Sequence, residues 1–108
     1  MSVVTNLIIC FSLLENEEKI VNEFKGYTHN GHPFVIKSVS DEKLPKGWYG
    51  GEKYLECIIL IGAYNNLNLD ILIEYMETEI KWQAPDLVQV LAKEENDMKF
   101  KLIELISR

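Results

Sequence analysis

Tyr54–Tyr64 reads YLECIILIGAY, the most apolar segment of the chain, and Val3–Phe11 reads VVTNLIICF, rich in β-branched residues with an apolar run from Leu7. Segments apolar at successive rather than alternate positions read as strands covered on both faces, and therefore as the centre of a sheet. The other strand candidates are more polar. Phe34–Val39 (FVIKSV) carries Lys and Ser and reads as an edge strand. Leu87–Lys93 (LVQVLAK) and Met98–Ile106 (MKFKLIELI) alternate as strands do. The polar turn Glu94–Asp97 between them makes the pair a hairpin. The alternation slips between Leu102 and Ile103, the expected mark of a bulge.

Two helices are expected between these strands. Ser12-Leu-Leu-Glu15 fits the S-x-x-E capping box, so a helix should start there and run to about Phe24, with Ile20, Val21 and Phe24 on one face and Gly26 as its stop. Tyr27–Pro33 (YTHNGHP) is a turn segment centred on Asn30-Gly31. Asn65-Asn66-Leu67-Asn68 offers caps for a second helix. From Leu69 the period becomes helical: Leu69, Leu72, Ile73, Met76 and Ile80 share a stripe about 100° wide. Trp82-Gln-Ala-Pro85 ends that helix, because the residue before Pro avoids the α region.

The resulting order is β-α-β-β-α-β with an extra C-terminal strand. The ferredoxin-like arrangement of these elements places the first and third strands in the middle of the sheet, and those are the two that read as doubly covered. The expected fold is a single α+β domain spanning residues 1–108, with two helices on one face of a mostly antiparallel sheet. Any other α+β sheet with both helices on one face would share this core.

Composition narrows the function. The 108 residues are 47% hydrophobic and 26% charged, an ordinary globular mixture. The longest apolar run, Cys57–Ala63, is far short of the roughly 18 residues of a membrane span. The N-terminus lacks the basic flank of a signal peptide, so a cytoplasmic protein with no membrane role is expected. Cys10 and Cys57, each inside an apolar run, read as reduced core thiols on neighbouring strands. With 17 acids against 11 bases the net charge is −6, unsuited to nucleic acid phosphates. Ten of the eleven bases are Lys and the only Arg is Arg108, which argues against a nucleotide-handling enzyme. The negative charge is local: Tyr54–Asp86 holds six acids and one base, whereas Tyr27–Lys53 sums to +1.

Few residues point to chemistry. His29-Asn-Gly-His32 has no Cys or carboxylate within five residues of either ring. A metal site is therefore not expected, and acid–base chemistry near these histidines is the enzymatic reading. Gly47-Trp-Tyr-Gly50-Gly51 matches no phosphate-binding spacing, and Phe11 and Tyr54 are poor stacking platforms for RNA, so no cofactor or nucleic acid is implied. Two features suggest protein contact. Trp48 and Tyr49 stand on the long loop Ser40–Lys53 beside Lys46, where aromatics either anchor an interface or fold back over the sheet. Asp70, Glu74 and Glu77 recur at i, i+4 and i+7, as a solvated helix face or as an acidic strip for a basic protein. Ile71 and Tyr75 flank that row, either covering the neighbouring helix or forming a contact patch.

Eight Asn, twelve Ile and almost no Arg fit an AT-rich bacterial or phage genome. The expected function is a non-enzymatic protein-binding module: an inhibitor, immunity or anti-defence protein. The partner surface would comprise Lys46, Trp48, Tyr49, Asp70, Ile71, Glu74, Tyr75 and Glu77. The alternative is a small homodimeric ligand-binding or regulatory domain.

Overall fold

In the computed structural model, which describes residues 3–39 and 57–105, the two most apolar segments form the two long strands, β1 (Val4–Ser12) and β5 (Cys57–Asn65). They pair antiparallel along their whole length, Val4 opposite Asn65 and Ser12 opposite Cys57. Short strands β2 (Thr28–His29), β3 (His32–Pro33) and β4 (Lys37–Ser38) precede β5, and β6 (Gln89–Glu94) and β7 (Lys101–Glu104) close the chain. The main sheet runs β4-β5-β1-β6-β7, antiparallel at every neighbour, with β2–β3 as a separate ribbon. The chain is therefore α+β, with a mostly antiparallel sheet and two helices, α1 (Glu17–Phe24) and α2 (Leu69–Thr78).

The strand period decides which side chains meet the helices. Along β1 the residues alternate strictly, with Thr5, Leu7, Ile9 and Phe11 buried and their neighbours only half-buried. Leu60 of β5 and Val90 of β6 pair with Ile9 on the same face. Ile20 and Phe24 from α1 and Leu72 and Met76 from α2 pack in the cluster that these strand residues form. Each such side chain contributes about 1.5–3 kcal/mol by leaving water. In α2 the expected stripe holds: Leu72 and Met76 are buried, Leu69 and Ile73 pack beside them, and Ile80, just past the end of the helix, is buried with them. Asn68 caps the helix, its side chain accepting from Ile71 N–H at 3.2 Å.

The first helix starts later than the capping box implies. Its N-cap is Asn16, which accepts from Lys19 N–H at 3.0 Å. Ser12 ends β1, and its hydroxyl accepts from Leu14 N–H. Glu15 turns inward to a buried position and accepts from the backbone N–H groups of Gln83 and Ala84, both at 2.8 Å. The two helices meet through Glu23, whose carbonyl takes the Tyr75 hydroxyl at 2.6 Å and whose carboxylate accepts from Lys81 N–H.

Asn30 and Gly31 have φ of 51° and 79°, the left-handed pair that a type I′ hairpin needs. The segment expected as a turn thus becomes the β2–β3 ribbon. It folds onto the core through Phe34, whose ring stacks on Tyr64 with centroids 4.3 Å apart and lies beside Phe24 and Tyr27 at 5.7 Å each.

Four further expectations change. The strand expected over Phe34–Val39 pairs with β5 in the ladder only at Lys37–Ser38. Leu87 belongs to a 3-10 turn (Pro85–Leu87), so the following strand begins at Gln89. The register from Gln89 opposite Glu104 to Ala92 opposite Lys101 is unbroken, so no bulge follows Leu102. The apparent slip arises because β7 has apolar residues on both faces: Ile103 packs against the core and Leu102 points away from it. The fourth concerns the central strands, which the helices cover on one face alone.

Candidate functional site: the open face of the sheet

The residues that alternate out of the core make a second surface of the sheet. One row crosses all five strands as Lys37, Ile61, Ile8, Leu91 and Leu102. The next row holds Ile59, Cys10, Gln89 and Glu104, and the row on the other side holds Ala63, Asn6 and Lys93. Leu102 keeps 53% of its surface, Ile61 43%, and Val35, two residues before Lys37, 62%. Ile8, Ile59 and Leu91 are half-buried by their sheet neighbours. The middle of this face carries no formal charge, and its charged groups stand near its borders: Lys37 on β4, Glu104 on β7, and Lys93. The wet face of an antiparallel sheet is ordinarily polar, so an apolar one of this extent is unusual.

Both cysteines belong here. Cys10 and Cys57 lie diagonally on neighbouring strands, as the sequence suggests, but on the open face and half-buried rather than in the helix-covered core. Burial pushes the Cys10 thiol up to about 11, helped by its hydrogen bond to Cys57 and by that group's charge. The thiolate is the reactive form, so Cys10 should label slowly with a thiol reagent at pH 8 in native buffer. Labelling should accelerate in denaturant; native labelling as fast as the denatured rate would contradict the hydrogen-bonded pair.

At the β4 border the face runs into a cleft of about 490 Å³ between the ribbon and β5, lined by His29, His32, Val35, Lys37, Ile61 and Tyr64 among others. Among the described residues no carboxylate lines it. Both histidines of the sequence motif are therefore at its mouth, paired across the ribbon. His29 rests edge-on against Tyr64 at 5.8 Å, and Asn30 donates to the Asn65 carbonyl at 3.1 Å, so these side chains fasten the ribbon to β5. Tyr64 donates its hydroxyl to the Val35 carbonyl at 2.6 Å, and burial pushes its phenol far above the ordinary range. Among the described residues no three His, Cys, Asp or Glu side chains come together as a metal site.

The acidic row of α2 lies on the helical side of the sheet. Asp70 and Glu74 are exposed on α2, and Glu77 is half-buried. Ile71 keeps 52% of its surface beside them. Tyr75 instead covers α1: its ring lies 5.3 Å from Tyr27, and burial, then the charges of Glu79 and Glu23, raise its phenol. Lys46, Trp48 and Tyr49 lie outside the described residues. No described helix is long and apolar enough to cross a membrane. What the sequence reading missed is the open face itself. Its signal was present in the near-continuous apolar runs of β1 and β5, which imply a second cover as well as a first.

Comparisons with protein-family models, with curated proteins and with solved structures returned no match.

Proposed function

We propose that this chain is a non-enzymatic protein-binding module built on a ferredoxin-like arrangement. The strand order β4-β5-β1-β6, with the first and third long segments at its centre, supports that arrangement; the β2–β3 ribbon and β7 are additions to it. The observation that carries the functional reading is the row Ile61–Ile8–Leu91–Leu102, apolar and uncovered by either helix. Such a surface is costly to leave wet, at about 25 cal/mol per Å², and a protein partner removes that cost. On the opposite side, Asp70 and Glu74 beside the exposed Ile71 suit a basic protein, which fits an inhibitor, immunity or anti-defence role in a bacterial or phage cytoplasm.

The two surfaces are separable by mutation. Exposed helix charges contribute little to folding, so Asp70→Asn with Glu74→Gln should change stability by well under about 1 kcal/mol. The same double change should slow association with a basic partner, most strongly at low salt. Ile61→Asp should instead abolish whatever seats on the sheet. A stoichiometric partner isolated from the native host that ignores all three substitutions would refute both surfaces.

A further inference from the structure

Resting on the reading of the open face as a protein contact surface, we propose that its occupant is a second copy of this chain. The two sheets stack face to face, β1 over β1, about a two-fold axis parallel to the strands.

Size comes first. Five strands about 4.8 Å apart, crossed by a nine-residue β1 rising about 3.4 Å per residue, give a face of roughly 500–700 Å². A stable interface takes about 800 Å² from each partner, so side chains at the rim complete what the flat face begins. The uncharged middle matches the interior of such an interface, where charge is depleted. A face that pairs with itself must also be self-complementary.

Charge placement then selects the axis. Lys37 stands on β4 at one border of the face and Glu104 on β7 at the other. A two-fold parallel to the strands reverses the strand order between the layers, so β4 lies over the β7 of the second copy. Lys37 then sits above Leu102 of the partner subunit, with the partner's Glu104 one row along, about 7 Å and within reach of a lysine stem. The contact occurs twice by symmetry. A two-fold across the strands would instead lay β4 over the partner's β4 and β7 over the partner's β7, gathering the two Lys37 side chains at one border and the two Glu104 side chains at the other, like charge beside like charge. The parallel axis also puts Ile8 on the partner's Ile8 and Ile61 on the partner's Leu91, so apolar residues meet apolar residues over the three central strands. Aligned packing of this kind is one of the two common ways in which sheets stack.

The test is the mass in solution of the full chain, by size-exclusion chromatography with light scattering across a concentration series. The wild type should be a dimer at high micromolar concentration. Ile61→Asp and, separately, Leu102→Asp should be folded monomers by circular dichroism, because both side chains are already largely exposed in one copy. Lys37→Glu and Glu104→Lys should each weaken the dimer about tenfold, and the two together should restore it. A dimer insensitive to all four substitutions overturns the proposal. A monomeric wild type also overturns it, and an apolar dye separates the two levels of the reading. Strong dye binding that Ile61→Asp removes leaves the face available for a foreign protein; a wild type that binds no dye sinks the contact surface as well.

Discussion

Replacing Glu15 by alanine should cost about 3–5 kcal/mol of stability, far more than the loss of a surface acid. Glu15 is buried on the turn between β1 and α1, and its carboxylate takes both backbone N–H groups of Gln83 and Ala84. Hydrogen bonds to a charged acceptor contribute about 1.5–3 kcal/mol each, and alanine would strand the buried Ala84 donor with nothing in its place. Glu15→Gln should fall between, because its amide nitrogen would face one of those donors. If Glu15 were an ordinary capping-box residue, its removal would cost about 1 kcal/mol. Urea melts of the three proteins decide, and a loss under about 1 kcal/mol for alanine would mean that the link between this turn and the Gln83–Ala84 backbone is not made.

Gly62→Ala should destabilise by about 2–3 kcal/mol, although a strand interior ordinarily gains from the exchange. Tyr64, two residues on along β5, folds back across the glycine. A methyl group at 62 would collide with the Tyr64 hydroxyl and come within 2.7 Å of its ring carbons. The ring has little room to yield: its hydroxyl donates to the Val35 carbonyl and its face stacks on Phe34. The collision can be isolated by a cycle. In a Tyr64→Ala background the Gly62→Ala change should be neutral or slightly stabilising, whereas equal costs in both backgrounds would place the strain elsewhere.

The strands and helices were legible in the sequence because their periods are strong. The apolar runs from Leu7 and from Cys57 became the central strands, and the stripe from Leu69 to Met76 became the buried side of α2, with Ile80 buried just beyond it. Asn30-Gly31 read as a turn and is one, because few residues but these accept two positive φ values in succession. Other readings failed for identifiable reasons. Ser12 and Glu15 satisfy a helix-start spacing, yet Asn16 offers a better cap once Ser12 is held in β1 by Cys57. Glu15 was then free to reach a backbone 68 positions away, a distance no local pattern reports. Leu102 and Ile103 looked like a register slip because an alternating pattern assumes one wet face. Of the expected contact residues, Tyr75 packs on α1 through the Tyr27 ring and the Glu23 carbonyl, while Ile71 keeps its exposure. Sequence spacing put both beside the acidic row but could not say which way the neighbouring helix lay.

The position of β1 has a consequence for how the chain comes together in time. In chain order β1 comes before both of its partners, β5 and β6, whose residues begin at Cys57 and end at Glu94. Until β5 has left the ribosome, α1, the ribbon and β4 are the only described elements made that could shelter Leu7, Ile9 and Phe11, and the second edge of β1 waits longer still for β6. Every backbone bond of β1 to a neighbouring strand is long-range, and such pairing forms more slowly than the local contacts of helices. Nascent chains therefore pass through a period in which an apolar strand with two unpaired edges waits for its partners, the state from which aggregation starts and on which chaperones act.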